Sequence, residues 1–478
     1  MTDKECDMGI VGAGTMGGNL ALNFADHGFS VAAYDVDPAK ARELSQRKEA
    51  GGKVRAAGTM QELAGMLRRP RAVLLMVPAG KPVDDAIDAI IQNFDKSDLI
   101  IDGGNSHFTD TDSRAKLIAE KGLLFMGTGI SGGEEGARHG PSLMPGGHLE
   151  AYERVRKILE ASAANVNGDP CVAYLGAGSA GHYVKMVHNG IEYGLMQLIS
   201  ETYDIMKLGL GTSADELAEI YSRWNGGELN SYLLEITSDI FRYRDEKNPN
   251  LALVDLILDE AKQKGTGKWT SWEAMELQVP TPNIDAAVMM RNLSGRVDER
   301  KRAAEVLHGP EHRFRGDRAG LIEHLRNACY AGMVMTYAQG FALLKEASKS
   351  YEYGLNLETV ARIWRGGCII RASVLEPIRT AFSKEPNLAN LLMDEYFSRE
   401  VNARQESLRA VAATAADLGI PAPGFSASLA YLDAYRSAWL PANLIQAQRD
   451  YFGAHTYQRK DMPGKILHTV WRKVEENT

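Results

Sequence analysis

The stretch Met8-Gly-Ile-Val-Gly-Ala-Gly-Thr-Met-Gly17 decides how the rest of the chain is read. Residues 8–11 have strand character and run directly into Gly12-x-Gly14-x-x-Gly17, and residues 16–27 carry a helical pattern. In that setting Gly12 and Gly14 allow a tight turn and the close approach of a pyrophosphate, while Gly17 lets the helix pack on the strand. Ala13, Thr15 and Met16 complete the loop, whose free N–H groups at the helix start suit phosphate. The competing reading is a glycine-rich turn without a ligand. The strand before, the helix after and an acid further on all weigh against it.

That acid is Asp35, in Tyr34-Asp-Val-Asp37 at the end of a second strand over residues 31–34. A carboxylate there accepts from the ribose 2′-OH and repels a 2′-phosphate. Val36 and Asp37 offer no cation, although Lys40 and Arg42 follow on the next helix. The pattern predicts NAD over NADP, the alternative being an ordinary surface acid in a turn.

Working outward, residues 72–77, 99–102 and 123–128 read as further strands, with helical patterns such as 83–94 between them. That alternation predicts a parallel, doubly wound sheet, an α/β Rossmann domain over residues 1–180. Residues 181–440 change to long helices and predict an all-α domain. Within it Leu217, Trp224, Gly226 and Gly227 recur 140 residues later as Leu357, Trp364, Gly366 and Gly367. A duplicated helical unit explains this, and so does chance similarity between two amphipathic helices. The glycine pair is expected to close a helix in each copy, and Ser213-Ala-Asp-Glu216 reads as a capping box opening the first. Residues 441–478 form a polar tail with Tyr451, Phe452, Tyr457 and Trp471, either a frayed end or a docking arm; the aromatics favour the arm.

The balance of the 478 residues narrows the class. Lys and Arg number 54 against 62 Asp and Glu, a net charge of −8. A mildly acidic chain without a basic run argues against nucleic acid or an anionic membrane as the main partner. Cys6, Cys171, Cys329 and Cys368 are scattered with no C-x-x-C pair, so neither a zinc template nor a disulfide framework is expected. No leader-like start and no apolar run of transmembrane length occur. The expectation is a cytoplasmic protein. Glycine, at 47 residues, is the one excess, since about 7% is usual.

The most informative segment is Lys185-Met-Val-His-Asn-Gly-Ile-Glu-Tyr193. Read as a helix, it places Lys185, His188, Asn189 and Glu192 at i, i+3, i+4 and i+7, on one face. Val184, Val187, Ile191, Leu195 and Leu198 make a second, apolar stripe roughly 110° away. No solvated charged face remains. A lysine and a glutamate buried nearly all round need partners or a ligand. Burial lowers the lysine's pKa and raises the glutamate's, which suits a base and an acid working near neutrality. The alternative is a structural Lys185–Glu192 salt bridge, but nearly two turns separate them.

Three polar glycine segments add anion-binding material: Asp102-Gly-Gly-Asn-Ser106, Ser131-Gly-Gly-Glu-Glu-Gly-Ala-Arg138 and Lys264-Gly-Thr-Gly-Lys-Trp269. The last sets two lysines and a hydroxyl on a loop suited to a phosphate. Any one of them alone is equally an ordinary turn.

Taken in order with Gln448-Arg-Asp-Tyr-Phe-Gly-Ala-His455, these strings resemble the decarboxylating 6-phosphogluconate dehydrogenase family over nearly the whole chain. The resemblance implies a Rossmann domain, a duplicated all-α domain and a tail that reaches the partner subunit of a homodimer. It implies Lys185 as the base at the C3 hydroxyl and Glu192 as the acid that protonates C1 after CO2 is lost. No metal is implied, because the 3-keto acid is its own electron sink. Asn105, Ser131, Gly132, Gly133, His188 and Asn189 match positions that hold the sugar acid. Tyr193, Lys264, Thr266 and Arg291 match the phosphate site, with Arg449 and His455 supplied by the other subunit. Gly12 to Gly17, Asp35, Val36, Asp37, Val77, Pro78, Ala79 and Asn105 match the cofactor site.

The chain departs from the family at telling places. Asp35-Val36-Asp37 stands where Asn-Arg-Thr is usual, and Val77 is followed by Pro78 rather than lysine; both agree with NAD. Lys262 replaces a small residue. Two rival readings stay open: a non-decarboxylating β-hydroxyacid dehydrogenase, and a dinucleotide-binding sensor without catalysis. The second helical repeat and the Arg449/His455 tail weigh against the first, and the Lys185/Glu192 pair against the second.

Overall fold

The strand that leads into the glycine loop lies at the centre of a sheet. The computed structural model describes residues 5–472 of the chain. Strands β1 (Met8–Val11), β2 (Val31–Tyr34), β3 (Val54–Ala56), β4 (Ala72–Leu75), β5 (Leu99–Asp102), β6 (Leu124–Ser131) and β7 (Ser142–Gly147) are ordered β3-β2-β1-β4-β5-β6-β7. All neighbours are parallel except β6 and β7. The strand order reverses between β1 and β4, and the crevice at their carboxyl ends is where open α/β sheets bind ligands.

Both faces are covered, as the apolar strands require. Ile10, Leu74 and Ile101 pack to one side, and Val11, Val73, Leu75 and Ile100 to the other. The connecting helices are α1 (Thr15–Asp26), α2 (Pro38–Gln46), α3 (Met60–Met66), α4 (Lys81–Ile91), α5 (Phe108–Glu120), α6 (Gly133–His139) and α7 (Leu149–Ser162). The predicted Rossmann sheet is therefore present. The fourth strand stops two residues short of the expected end, because Met76 and Val77 turn into a loop, and β6 runs on to Ser131. A two-stranded ribbon, β8 (Asn165–Val166) with β9 (Asp169–Pro170), follows.

All further elements of the first unit are helical: α8 (Ala180–Asp204), α9 (Ala214–Asn225), α10 (Tyr232–Arg242), α11 (Thr266–Glu276), α12 (Pro282–Ser294), α13 (Val297–Val306), α14 (Arg318–Ser350), α15 (Leu357–Ile363), α16 (Leu375–Lys384), α17 (Glu395–Leu418) and α18 (Pro423–Tyr435). The run α8 to α12 is matched in order by α14 to α18, whose starts fall 129 to 143 residues later. Ser213 and Glu216 form the predicted capping box on α9. The two tryptophan–glycine strings do not close alike. Gly226 caps α9 with ordinary right-handed backbone, whereas α15 stops at Ile363 and its turn continues to Gly367, at φ +65°. The Gly367 carbonyl then accepts from the Ser142 N–H at 2.7 Å, so the second turn is shaped by tertiary contact.

The chain divides into two compact units, residues 1–428 and 429–478, with the boundary inside α18. The second contains α19 (Ala442–Gly453) and a hairpin of β10 (Tyr457–Arg459) and β11 (Met462–Leu467). The buried Asp450 carboxylate holds this unit together. It accepts from the Thr456 and Thr469 N–H groups and from Trp471 Nε1, and faces His468 Nδ1 at 2.8 Å. The tail is thus an ordered helix and hairpin, with Tyr451 and Phe452 exposed. Residues 1–4 and 473–478, the ends of the predicted first and last segments, lie outside the described residues.

Candidate active site

The glycine loop has the shape its spacing predicts. Gly12 has φ +99°, and a Cβ on Gly17 would lie 1.9 Å from the Gly12 carbonyl oxygen, so only glycine lets α1 start this close to β1. Above Gly14 there is open space, and α1 has no side-chain cap at its N-terminus. Both observations fit a dinucleotide whose pyrophosphate caps that helix. Asp35 is buried and doubly held: its carboxylate accepts from the Ala13 N–H at 2.8 Å and the Asp37 N–H at 2.9 Å. It therefore ties the glycine loop to the end of β2. Val36 beside it is 89% exposed, and Asp37 caps α2. Val77, Pro78 and Ala79 form the loop after β4, across the switch point from Gly12.

The next loop, Gly103–Ser106, leaves the carboxyl end of β5. Asp102 is fully buried and accepts from Ser106 Oγ at 2.6 Å and from the Gly104 N–H at 3.0 Å. Asn105 stands exposed at the tip of this loop. After β6, Gly132 and Gly133 both adopt positive φ, and Gly132 is the N-cap of α6.

The predicted polar stripe lies on α8, which is buried over most of its length. Lys185 is 6% exposed and His188 fully buried. Lys185 Nζ donates to Asn189 Oδ1 at 2.7 Å and lies 3.3 Å from His188 Nδ1. On the far side of the imidazole, His188 Nε2 is 3.2 Å from Ser131 Oγ, which joins the stripe to the β6 loop. Glu192 approaches His188 Nδ1 at 3.9 Å. Among the described residues no ion pair joins Lys185 to Glu192, so the structural salt bridge is not what keeps them there.

The electrostatics follow from burial. Desolvation lowers the Lys185 pKa, with the charges of Glu192 and Cys368 opposing it only in part. Burial raises the Glu192 pKa, against the pull of Lys185 and Arg291. His188 is held well below its ordinary value by burial and by Lys185, so its ring stays neutral near pH 7.

Two of the phosphate candidates, Tyr193 and Arg291, stand together. The Arg291 guanidinium carbon lies over the Tyr193 ring, 3.4 Å from its centre, and Tyr193 packs so tightly on Gly267 that a Cβ there would meet the ring at 2.4 Å. Lys264 precedes Gly265, which turns with φ +108° to start α11. Thr266 and Gly267 thus open a helix, where a free loop was expected. The cause is tertiary: the Thr270 hydroxyl donates to the Met186 carbonyl at 2.9 Å and draws this segment onto α8. The Lys262 carbonyl accepts from Arg291 at 3.4 Å while its ammonium is exposed. Arg449 and His455 belong to the second unit, where both are exposed.

Two contributors were missed in the sequence. His182 is buried, donates to the Asp102 carbonyl at 3.0 Å and faces Thr111 Oγ1 at 2.7 Å. Stepping one turn back along the Lys185 stripe lands on it. Trp364 meets the His188 ring edge-on at 5.6 Å; its string was visible only as a helix end. No group of three or more His, Cys, Asp or Glu able to hold a metal occurs among the described residues.

A Rossmann sheet that presents a dinucleotide loop, followed by a helix carrying a buried lysine and a half-buried glutamate, defines a dinucleotide-dependent dehydrogenase class. Residues 7–176 match the NAD binding domain of 6-phosphogluconate dehydrogenase, and residues 181–471 match its C-terminal domain. The chain belongs to the decarboxylating 6-phosphogluconate dehydrogenase family. It is 52% identical over 468 residues to the NADP(+)-dependent, decarboxylating 6-phosphogluconate dehydrogenase of Bacillus subtilis, covering 98% of this chain and 99% of the relative. It is 50% identical over 465 residues to the decarboxylating enzyme of Escherichia coli, covering 97% and 98%. The Plasmodium falciparum 6-phosphogluconate dehydrogenase, studied as apo form and in complex with its cofactor NADP+ and its substrate 6-phosphogluconate, superposes with a TM-score of 0.93. Its identity is 45%, over 98% of this chain and all of that one.

Proposed function

We propose that this protein oxidises 6-phospho-D-gluconate to D-ribulose 5-phosphate and CO2 in the pentose phosphate pathway, using NAD in preference to NADP. The observation that carries this reading is the Lys185–His188–Asn189–Glu192 stripe facing Ser131, buried but for the half-buried Glu192. When bound, the dinucleotide supplies the hydride acceptor. Lys185, its pKa lowered by desolvation, takes the proton of the C3 hydroxyl. As an ammonium it then holds the C3 oxygen while the carboxylate leaves as CO2, stabilising the negative charge that develops there. Glu192, its pKa raised by burial, delivers the proton to C1 of the enediol that decarboxylation leaves. Neutral His188 adds no competing charge and aligns Ser131. Asn105, Gly132, Gly133 and Asn189 orient the sugar acid, and Tyr193, Lys264, Thr266 and Arg291 take its phosphate.

Arg449 and His455 complete the site from the second subunit of a homodimer, each arm serving the partner. The four cysteines, free and buried, agree with a cytoplasmic setting.

The preference for NAD rests on Asp35 and Val36. The Asp35 carboxylate is held in place by two backbone donors, and Val36 presents no cation to a 2′-phosphate. The named Bacillus relative and the Plasmodium complex both concern NADP, so the local residues and the family usage point in opposite directions. Steady-state kinetics with 6-phosphogluconate and each cofactor decide between them. We expect a higher kcat/KM with NAD. A clear NADP preference contradicts the Asp35 reading, and no turnover with either contradicts the activity itself.

A further inference from the structure

One buried guanidinium is bonded to both of the loops that border the switch point. Arg114, on α5, has a side chain only 6% exposed. Its Nη2 donates to the Gly80 carbonyl at 3.1 Å, at the end of the Val77–Ala79 loop. Nη1 donates to Ser106 Oγ at 3.0 Å, next to Asn105, and lies 3.4 Å from Asp102 Oδ2. Nε donates to Asp84 on α4 at 2.7 Å. Asp102 in turn holds Ser106 and Gly104 through its carboxylate, and its carbonyl receives His182, one turn ahead of Lys185 on α8.

The fold alone needs only a counter-charge for the buried Asp102. The fork does more. Two of its donors fall on the cofactor-side loop and the sugar-acid-side loop, and so bond across two segments that otherwise meet by packing, as where Gly104 lies against the Val77 carbonyl. A lysine could neutralise Asp102, but a single ammonium cannot span the acceptors that a planar guanidinium reaches.

We propose that Arg114 is a positioning residue that couples the dinucleotide loop to the sugar-acid loop, so that filling either site tightens the other. This rests on the reading of Val77–Ala79 and Asn105 as ligand-contacting residues. The coupling is reciprocal by thermodynamic necessity.

The test is binding to the full-length protein without turnover. NADH is titrated by its fluorescence with and without saturating 6-phosphogluconate, and 6-phosphogluconate is titrated by calorimetry with and without NADH. Wild-type protein is expected to show each ligand tightening the other by about fivefold or more, the lower range of allosteric couplings. In Arg114→Lys the coupling falls toward one, while each ligand's separate dissociation constant changes by less than the coupling does. Ser106→Ala retains the Arg114–Asp102 pair and still loses much of the coupling; it decides the matter if Arg114→Lys fails to fold. A purely structural role predicts a lower Tm with the coupling intact. Unchanged coupling in the folded variants, or none in the wild type, overturns the proposal. Wild-type protein that binds neither ligand contradicts instead the functional reading beneath it.

Discussion

Lys185 and Glu192 face the same cost of burial with opposite results. Desolvation disfavours the charged form of each, so the amine loses its proton below the ordinary 10.5 and the acid keeps its own above the ordinary 4.5. The proposed mechanism needs neutral lysine and protonated glutamate. It therefore falls on the acid side as the lysine charges and on the alkaline side as the glutamate ionises, with both limbs drawn in toward neutrality. The two apparent values belong to the pair. Glu192→Gln cannot ionise, so its residual rate should rise with pH to a plateau, with kcat lower by about 10²- to 10⁴-fold. An unchanged bell in Glu192→Gln removes it as the titrating acid. Lys185→Ala should lose turnover yet retain NADH binding. The stripe itself was legible because helical spacing puts these four residues on one face. The position of Ser131 opposite His188 was not, since no local pattern relates a strand end to a helix 57 residues later.

At the scale of elements, the site depends on how closely α11 lies on α8. A Cβ on Gly190 would come within 2.5 Å of the Thr270 methyl group. Gly190→Ala must push α11 outward and carry Thr266 and Lys264 with it. Overpacking of this kind costs about 1–3 kcal/mol, so Tm should fall by a few degrees. KM for 6-phosphogluconate should rise while NADH affinity, set by the other domain, is unchanged. Equal changes in both would show that α11 is not a phosphate-side element. The five long parallel strands could be read from Val, Ile and Leu runs. Two strands could not. β3 is three residues long and includes Arg55, and β7 reads Ser-Leu-Met-Pro-Gly-Gly, a loop by composition. Pro145 is tolerated there because β7 is the last strand of the sheet, its outer side met only by isolated bonds such as the Leu175 N–H to the Pro145 carbonyl at 2.9 Å.

The whole molecule joins a nucleotide domain, a helical run α8–α12 that is followed in order by α14–α18, and an arm. The glycine excess is largely accounted for by loops at the switch point and by close contacts with α8. The arm's internal order was not legible, since it hangs on Asp450, whose partners Thr456, His468, Thr469 and Trp471 flank the hairpin on both sides. Burial alone would raise the pKa of that carboxylate, but the bonds from His468, Thr469 and Trp471 outweigh it and bring it to about 2. A depressed acid stabilises the fold above its unfolded value and loses that contribution as pH falls through about 2, so the arm's tether persists at all working pH. If the arm completes a partner's site, mixing inactive Arg449→Ala and inactive Lys185→Ala subunits should restore activity. Each hybrid then has one intact and one doubly altered site, giving roughly a quarter of wild-type sites after full exchange of a two-fold dimer. Exchange without recovery would show that each subunit works alone.

In the proposed mechanism a base and an acid on α8 carry hydride removal through to decarboxylation. It is tested most directly by incubating the wild-type protein with limiting 6-phosphogluconate and excess NAD, and counting NADH and released CO2 together. The account predicts equal amounts of both, with ribulose 5-phosphate as the remaining product. NADH formed without CO2 would contradict it and leave a simple β-hydroxyacid dehydrogenase.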